Sequence, residues 1–307
     1  MTSEPICLRV KGPFACFTMP EFHVERVSYP VITPSAARGI LEAILMKPVE
    51  KPDAAKRHNK VGFRWVVTRI GVIRRGTFFS ILRNEIQSEE GAGQNLRDGL
   101  SGSKIGYDIS NVATDRSQRH SLILSGGVDA EGNRQMLEYL IEAVIEVPVF
   151  DGKRTLGHLK KYEGMFKRRA ELGQCFYHPF FGCREFSLAS WELITGFDGV
   201  DQDGNRIWRL PDEVKQKMAH YEGENGDFGF LFHDFDFDPI WAHWPSAGRE
   251  TLTPRPSEWP EFGNKASPSP NRLSGFHARA KHGWIRVPQP KPLKGYERSH
   301  YFTDSSR

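Results

Sequence analysis

The feature that most constrains the fold of this sequence is a clearly signalled helix between two segments of β character. We predict that it begins at Pro34 with Thr33 as its N-cap, because proline suits the first helical turn and a threonine hydroxyl accepts a bond from an exposed backbone N–H. Pro48 and Pro52 predict its end. Its apolar residues recur at three- and four-residue spacing and form one packing face: Ala37, Ile40, Leu41, Ile44 and Leu45.

The order of the other elements indicates the fold class. Segments rich in β-branched and aromatic residues predict strands over 6–17, 63–86, 119 onward, 139–150 and 183–193, and a second helix is predicted over 158–173. This order predicts an α+β protein with a ferredoxin-like βαββαβ domain that carries insertions. The open sheet of that domain is also the scaffold of RNA-recognition modules.

Composition divides the chain into three predicted segments. Residues 1–193 form the ferredoxin-like domain, and residues 194–248, with short aromatic segments and many turns, form a small antiparallel β-sheet domain. Residues 249–307 are Pro-rich and hold 11 Lys and Arg residues against 5 Asp and Glu residues. We therefore expect an extended or partly disordered basic tail, whose deletion leaves the fold intact.

Several functional classes are disfavoured by what the sequence lacks. No apolar run approaches the roughly 18 residues of a membrane span, and the N-terminus does not resemble a secretory signal. We therefore expect a cytoplasmic protein with reduced cysteines and no membrane partner. There is no P-loop, GxGxxG, HExxH or GxSxG motif, so we expect neither a nucleotide cofactor nor common hydrolase chemistry.

Two patterns are weak candidates for a metal site. Cys175, His178 and Cys183 lie close in sequence, but their spacing differs from that of common structural zinc sites. The three aspartates of HDFDFD (233–238) share one face of a predicted strand, but the glycine and distal glutamate of a calcium loop are missing. We therefore expect no metal and read the aspartates as the solvated edge of a half-buried strand.

Two groups of polar residues are candidates for nucleic-acid chemistry. Arg119 and His120 follow a long polar segment; histidine suits proton transfer near neutral pH, and an adjacent arginine can stabilise charge on a phosphate. The alternative is a pair of exposed strand-edge residues. Bases that alternate with aromatics on the strands, and others on the second helix, can line a nucleic-acid groove or form ordinary solvated surface.

Four stretches, in order, resemble the CRISPR-associated family-five subunit, subtype d, of type I-C systems, a member of the repeat-associated mysterious protein (RAMP) superfamily. They are KGPFACFTMPEFHVERVSYPVITPSAARGILEAI (11–44), ILRNEI (81–86), KRRAELGQCFYHPFFGCREF (167–186) and LFHDFDFD (231–238). The resemblance implies an RRM-like RAMP domain with a small C-terminal β-sheet. It also implies binding of precursor and mature guide RNA, and assembly with the backbone and large subunits of a surveillance complex that meets target DNA.

The resemblance further implies a metal-independent endoribonuclease that cuts the precursor in its repeat and holds the 5′ handle of the mature guide. The family's proposed catalytic set is a tyrosine after the first helix, a basic residue and a histidine. Here Leu45 and Met46 follow the EAI of that helix, so the tyrosine is absent. Arg119 and His120 are the candidates for the other two roles, and Tyr29 is a candidate to lend a hydroxyl.

The candidate RNA-binding cations lie on the first helix, the long strand pair, the second helix and the segments that flank them. They are Arg26, Arg38, Arg64, Arg69, Arg74, Lys161, Lys167, Arg168, Arg169 and Arg184. Two alternatives to the nuclease remain at this point. One is a non-catalytic guide-RNA-binding subunit, with cleavage by another nuclease, and the other is an unrelated nucleic-acid-binding β protein.

Overall fold

A computed structural model describes residues 1–22, 25–47, 62–86, 114–147, 152–234 and 275–288, with side chains omitted at 83–86, 114–119 and 152–155. The strands are β1 Ile6–Gly12, β2 Phe14–Ala15, β3 Arg64–Arg74, β4 Thr77–Ile86, β5 Thr114–Ser125, β6 Leu137–Glu146, β7 Ser190–Ile194, β8 Phe197–Val200, β9 Arg206–Trp208, β10 Asp227–Leu231, β11 Phe276–Lys281 and β12 Trp284–Arg286. The α-helices are α1 Pro34–Ile44, α2 Gly152–Glu171 and α3 Asp212–Ala219.

The described strands form one large sheet and two small ones. The large sheet has seven strands in the order β10-β11-β12-β3-β6-β1-β7, and each neighbouring pair is antiparallel. A three-stranded sheet has the order β2-β5-β4, and β8 pairs with β9. The prediction that the protein mixes α and β structure is therefore confirmed, and the structure adds that its main sheet is large and antiparallel.

Helix α1 forms as its sequence signals predict. The Thr33 hydroxyl accepts a hydrogen bond from the Ala36 N–H at 3.3 Å, and Pro34 opens the first turn, where its missing N–H costs nothing. The helix ends at Ile44, and Leu45 is already extended. The predicted apolar face is buried on the large sheet, so local capping and periodicity account for this element.

One face of the large sheet holds the main hydrophobic core. Alternate residues of β6 from Leu137 to Ile145 point to this face and pack with α1 and α2. Helix α2 contributes the residues that the sequence predicts for its buried side: Leu159, Tyr162, Phe166 and Ala170. Helices α1 and α2, the two helices of the βαββαβ order, therefore pack on the same face of the large sheet.

The other face of β6 carries three buried glutamates, each paired with an arginine on a neighbouring strand. The pairs are Arg9 with Glu138, Arg69 with Glu142, and Arg64 with Glu146. Helix α3 and β9 pack beside them, and the Trp208 indole N–H donates to Glu142 at 2.6 Å. These buried charges are compensated because each carboxylate lies directly against a guanidinium.

The prediction for residues 249–307 is wrong for one segment. Strands β11 and β12 lie within the predicted tail but join the large sheet, with Ile285 opposite Ile70 of β3. Ala278, Ile285 and Val287 are buried in the core. The rest of the predicted tail lies outside the described residues, and the division at residues 193 and 248 stays a prediction. The predicted strand over 183–193 is also shorter than expected, since β7 begins at Ser190.

Candidate functional site

His120 lies on β5, directly opposite Leu82 of β4, and its side chain is exposed. Its Nδ1 is 3.4 Å from the Oγ of Ser80, which is two residues from Leu82 on the same face of the strand pair. A hydroxyl at this distance favours one orientation of the imidazole. The ring therefore stands on a solvent-facing sheet, positioned by a polar neighbour and open to a large substrate.

Large apolar side chains surround this position on β4. Phe78, Phe79 and Leu82 are 49%, 51% and 54% exposed. Phe78 and Leu82 share the face of His120, because they alternate with it in the paired register. Exposed aromatic rings on a strand are stacking surfaces for unpaired bases. Neither these residues nor Ser80 were predicted from the sequence, although the run TFFSIL places two aromatic residues beside a hydroxyl.

Arg119 precedes His120 in β5 and lies opposite Arg83 in the backbone register. Its side chain lies outside the part of the structure that is described. The predicted pairing of a cation with His120 therefore stays a prediction.

Tyr29 is not placed beside His120. It is only 6% exposed, and burial raises the pKa of its phenol, as does the Glu21 carboxylate. Val27 bridges Leu122 in the parallel direction, so the chain leads away from His120 as it reaches Tyr29. A buried hydroxyl on that path does not reach the solvent face of β5, and the structure does not bring this predicted pair together.

At the end of α1, where the resemblance implies a tyrosine, the chain instead carries apolar residues, and one of them packs into the core. Leu45 is fully buried, and its carbonyl accepts a hydrogen bond from the Trp65 indole at 2.9 Å. Met46 is 40% exposed. The Arg169 guanidinium donates to the Ile44 carbonyl at 2.9 Å, and thus caps the helix terminus.

One tyrosine does reach this end of α1 from another segment. The N–H groups of Phe176 and Tyr177 both point to the Ala43 carbonyl, at 2.7 and 3.4 Å. Tyr177 is 45% exposed, and partial burial, followed by the Glu42 carboxylate, raises the pKa of its phenol. Tyr177 was not predicted from the sequence, because this contact joins residues far apart in the chain.

Three of the predicted RNA-binding cations are held in ion pairs, two of them buried and the third half-buried. Arg64 and Arg69 are 9% and 6% exposed and pair with glutamates of β6. Arg38 lies between Glu42 and Asp234, with its Nε 2.7 Å from Asp234. Their charge is neutralised locally, so the expectation that these three present free positive charge at a surface is wrong for this structure.

The remaining predicted cations differ in exposure. Lys161, Lys167, Arg168 and Arg184 are exposed, Arg74 is half-buried, and Arg169 caps α1 as described above. Lys161, Lys167 and Arg168 lie on α2 and give it a basic outer surface. Contacts of this kind with phosphates supply affinity without reading sequence.

The half-buried Arg26 contacts a buried thiol. Its Nη1 donates to the Cys183 Sγ at 3.4 Å, and Thr18 lies 3.8 Å from the same sulfur. A hydrogen bond from Cys16 is the main cause that lowers the pKa of Cys183 to about 6; burial opposes it, and Thr18 and Arg26 assist it. Cys16, Thr18 and Arg26 therefore favour the Cys183 thiolate, while the bond that the Cys183 Sγ donates to the Cys16 carbonyl at 3.6 Å favours the neutral thiol.

The described residues also bear on the two metal patterns. Among them, no group of three or more His, Cys, Asp or Glu side chains is arranged to hold a metal ion. Asp234 pairs with Arg38, and the other two aspartates of the HDFDFD stretch lie outside the described residues. In the same part of the chain, no helix is long and apolar enough to cross a membrane.

Comparison with known proteins gives consistent sequence matches. The family model for Cas5d, described as CRISPR-associated protein (Cas_Cas5), matches residues 6–288. The CRISPR pre-crRNA endoribonuclease Cas5d of Thermus thermophilus is 34% identical over 286 residues, which cover 92% of this chain and 91% of that protein. The protein of the same name from Mannheimia succiniciproducens is 35% identical over 236 residues, covering 76% of this chain and 85% of that protein.

One solved structure, described as the crystal structure of a CRISPR-associated protein, matches 97% of this chain and 97% of its own. Its TM-score is 0.44 and its sequence identity is 19%.

Proposed function

The chain belongs to the Cas5d family of CRISPR-associated proteins, and on that premise we propose that it cuts precursor guide RNA within its repeat and then holds the 5′ handle of the mature guide. Two relatives that share about a third of its residues over most of its length are named pre-crRNA endoribonucleases. Family membership also removes the alternative of an unrelated nucleic-acid-binding β protein.

The observation that carries the catalytic part of the proposal is the exposed His120 on β5, held near Ser80 and flanked by apolar side chains. In the proposed reaction the ribose 2′-hydroxyl attacks the adjacent phosphorus while His120 accepts its proton. The bond from phosphorus to the leaving 5′-oxygen breaks, and an acid protonates that oxygen. The products are a 2′,3′-cyclic phosphate and a free 5′-hydroxyl, with no metal or other cofactor in the scheme.

Arg119 is proposed as the cation that steadies the negative charge on the phosphorane. Arg119 directly precedes His120 in β5, and the role is proposed from the family resemblance. Leu45 stands near the position of the family tyrosine, but it is buried and has no hydroxyl. Tyr29 is also buried. Tyr177 is the exposed phenol at the end of α1, so it is the better candidate among the described tyrosines for a hydroxyl near that terminus.

We also propose the ferredoxin-like form of the RAMP fold for the main domain. In chain order, β1, α1, β3, β6, α2 and β7 give the βαββαβ pattern. In space, these four strands follow the order β7-β1-β6-β3 within the large sheet. Both helices pack on one face of that sheet, which supports the proposal.

The proposed RNA path uses the cations that remain exposed. Lys161, Lys167 and Arg168 on α2, with Arg184 and Arg74, supply phosphate contacts, while Phe78, on the same face of the strand pair as His120, supplies a stacking surface. The proposed partners are the precursor and mature guide RNA, the backbone and large subunits of a type I surveillance complex, and, through the guide, target DNA. The proposed compartment is the cytoplasm.

A second candidate function is a guide-RNA-binding subunit without nuclease activity. The observation that favours it is the buried Leu45 at the place where the family carries its tyrosine. Both functions share the fold, the ligand and the partners, and they differ in one reaction. Incubation of the purified protein with its repeat RNA in EDTA separates them: a single cut at the base of the repeat hairpin supports the nuclease, and binding without a cut supports the second candidate.

A further inference from the structure

A groove lies beside the face of the large sheet that α1 and α2 leave uncovered. It has a volume of about 780 Å³ and is bounded by the β8–β9 hairpin, α3 and the β11–β12 hairpin. That volume is within the range of pockets that hold small organic ligands. None of the residues that line it belongs to β4 or β5, so the groove is separate from the His120 position.

The lining of this groove is strongly basic. Six Lys and Arg side chains line it, against two aspartates, Asp201 and Asp203. Arg69 and Arg286 stand directly opposite each other in the β3–β12 pair. This register places the Arg286 side chain on the same face of the sheet as Arg69.

The cations of the groove differ in how far the protein already neutralises them. Arg69 pairs with Glu142, Arg206 with Glu4, and Arg279 with Asp227. Lys281 is exposed, and the described residues provide no carboxylate partner for it. Lys281 therefore supplies charge that is available to a ligand.

The groove also has an apolar wall. Trp284 is half-buried, lies opposite Lys281 in the β11–β12 register, and has the Arg69 guanidinium 4.6 Å from its ring centroid. Ile207 of β9 is 46% exposed on the other side. A base packs on surfaces of this kind, while its phosphate needs the neighbouring cations.

We propose that this groove binds one or two nucleotides of single-stranded RNA, with the phosphate toward Lys281 and Arg286 and the base toward Trp284 and Ile207. The inference rests on the proposed function only in that the RNA is the guide or its precursor. The groove thus gives the protein a second point of attachment, distinct from the cutting position on β5. It also assigns a role to the hairpin that returns from the C-terminal part of the chain to the large sheet.

The test measures binding of a fluorescently labelled repeat RNA by anisotropy over a series of salt concentrations. Lys281→Ala is expected to raise the Kd about 3- to 10-fold and to reduce the slope of log affinity against log salt by about 0.7, the effect of one phosphate contact on a single strand. The double variant Lys281→Ala/Arg286→Ala is expected to show a larger rise in Kd and a larger fall in the salt slope than Lys281→Ala. Lys217→Ala is the matched control, because Lys217 lies on α3 outside the groove and pairs with Glu213.

The outcomes separate the groove from the proposed function. If the wild-type protein binds no repeat RNA, the proposed function fails and the groove proposal fails with it. If the wild type binds but both groove variants keep its Kd and salt slope, the groove proposal alone is overturned. Equal losses in the groove variants and in Lys217→Ala also overturn it, because they indicate a general charge effect. Circular dichroism spectra serve as the control that each variant is folded.

Discussion

The Nδ1 of His120 lies 3.4 Å from the Oγ of Ser80 across the β4–β5 pair. This contact leaves the other ring nitrogen of the histidine facing away from the strand partner. On an exposed strand, a contact of this length orients the ring without enclosing it. The arrangement suits a base that must meet a 2′-hydroxyl delivered by a large RNA.

Ser80→Ala removes the hydroxyl that orients His120. Because a single hydrogen bond contributes about 0.5–1.5 kcal/mol, we expect single-turnover cleavage to slow by about 2- to 10-fold with no change in RNA affinity. Ser80→Thr keeps the hydroxyl and serves as the control. A loss of affinity equal to the loss of rate contradicts a role in orienting the imidazole.

The end of α1 is predicted to reject a tyrosine at residue 45. Leu45 is fully buried and tied to Trp65, so the larger ring of Leu45→Tyr overpacks the core, and we expect a loss of about 1–3 kcal/mol in the free energy of unfolding. Met46→Tyr, at an exposed neighbouring position, is expected to stay within about 0.5 kcal/mol of wild type. Urea unfolding measures both. Equal stability of the two variants contradicts this description of the helix end.

The β11–β12 hairpin is predicted to be part of the core. Ile285 is 1% exposed, so Ile285→Ala leaves a cavity and is expected to cost about 2–5 kcal/mol, whereas Ile285→Val is expected to cost about 0.5–1.5 kcal/mol. Denaturant unfolding of the full chain gives both values. If this segment were a dispensable tail, both variants would be as stable as wild type. That result would contradict the sheet described here.

Cys183 predicts a pH dependence of stability. The pKa of Cys183 is about 6 in the folded protein and roughly 8.5 in an unfolded chain. Because its folded pKa is lowered, Cys183 stabilises the folded state above about pH 8.5, and this stabilisation is lost as the pH falls through the folded pKa. We expect the free energy of unfolding to fall more between about pH 8.5 and pH 6 in wild type than in Cys183→Ala. Cys175→Ala is the control thiol. Parallel pH curves for wild type and Cys183→Ala contradict a stabilised thiolate.

Local signals predicted the elements whose causes are local. The N-cap, the first-turn proline and the apolar spacing of α1 act within one helix, and each is found in the structure. The buried side of α2 follows from spacing in the same way. The order of strands and helices along the chain was also readable, because periodicity changes where each element begins.

Contacts between distant segments were not predictable from those signals. Arg64 and Arg69 have the pattern of surface cations, but β6 supplies Glu146 and Glu142 at matching positions of the register, which the sequence of β3 alone does not show. The same holds for Tyr177, which reaches α1 through a backbone contact with Ala43. The run FHARAK alternates apolar and polar residues, as is typical of a strand, and it forms β11. The many prolines around it instead favoured the prediction of an extended tail.

The most direct test of the account is the cut itself, measured with repeat RNA in EDTA for wild type and His120→Ala at saturating protein. We predict one cut by wild type, ending in a 2′,3′-cyclic phosphate. For His120→Ala we predict a rate lower by a factor of about 10²–10⁴, typical for loss of a general base, with RNA affinity unchanged. An equal rate for both proteins, or no cut by a wild type that binds the RNA, contradicts this prediction.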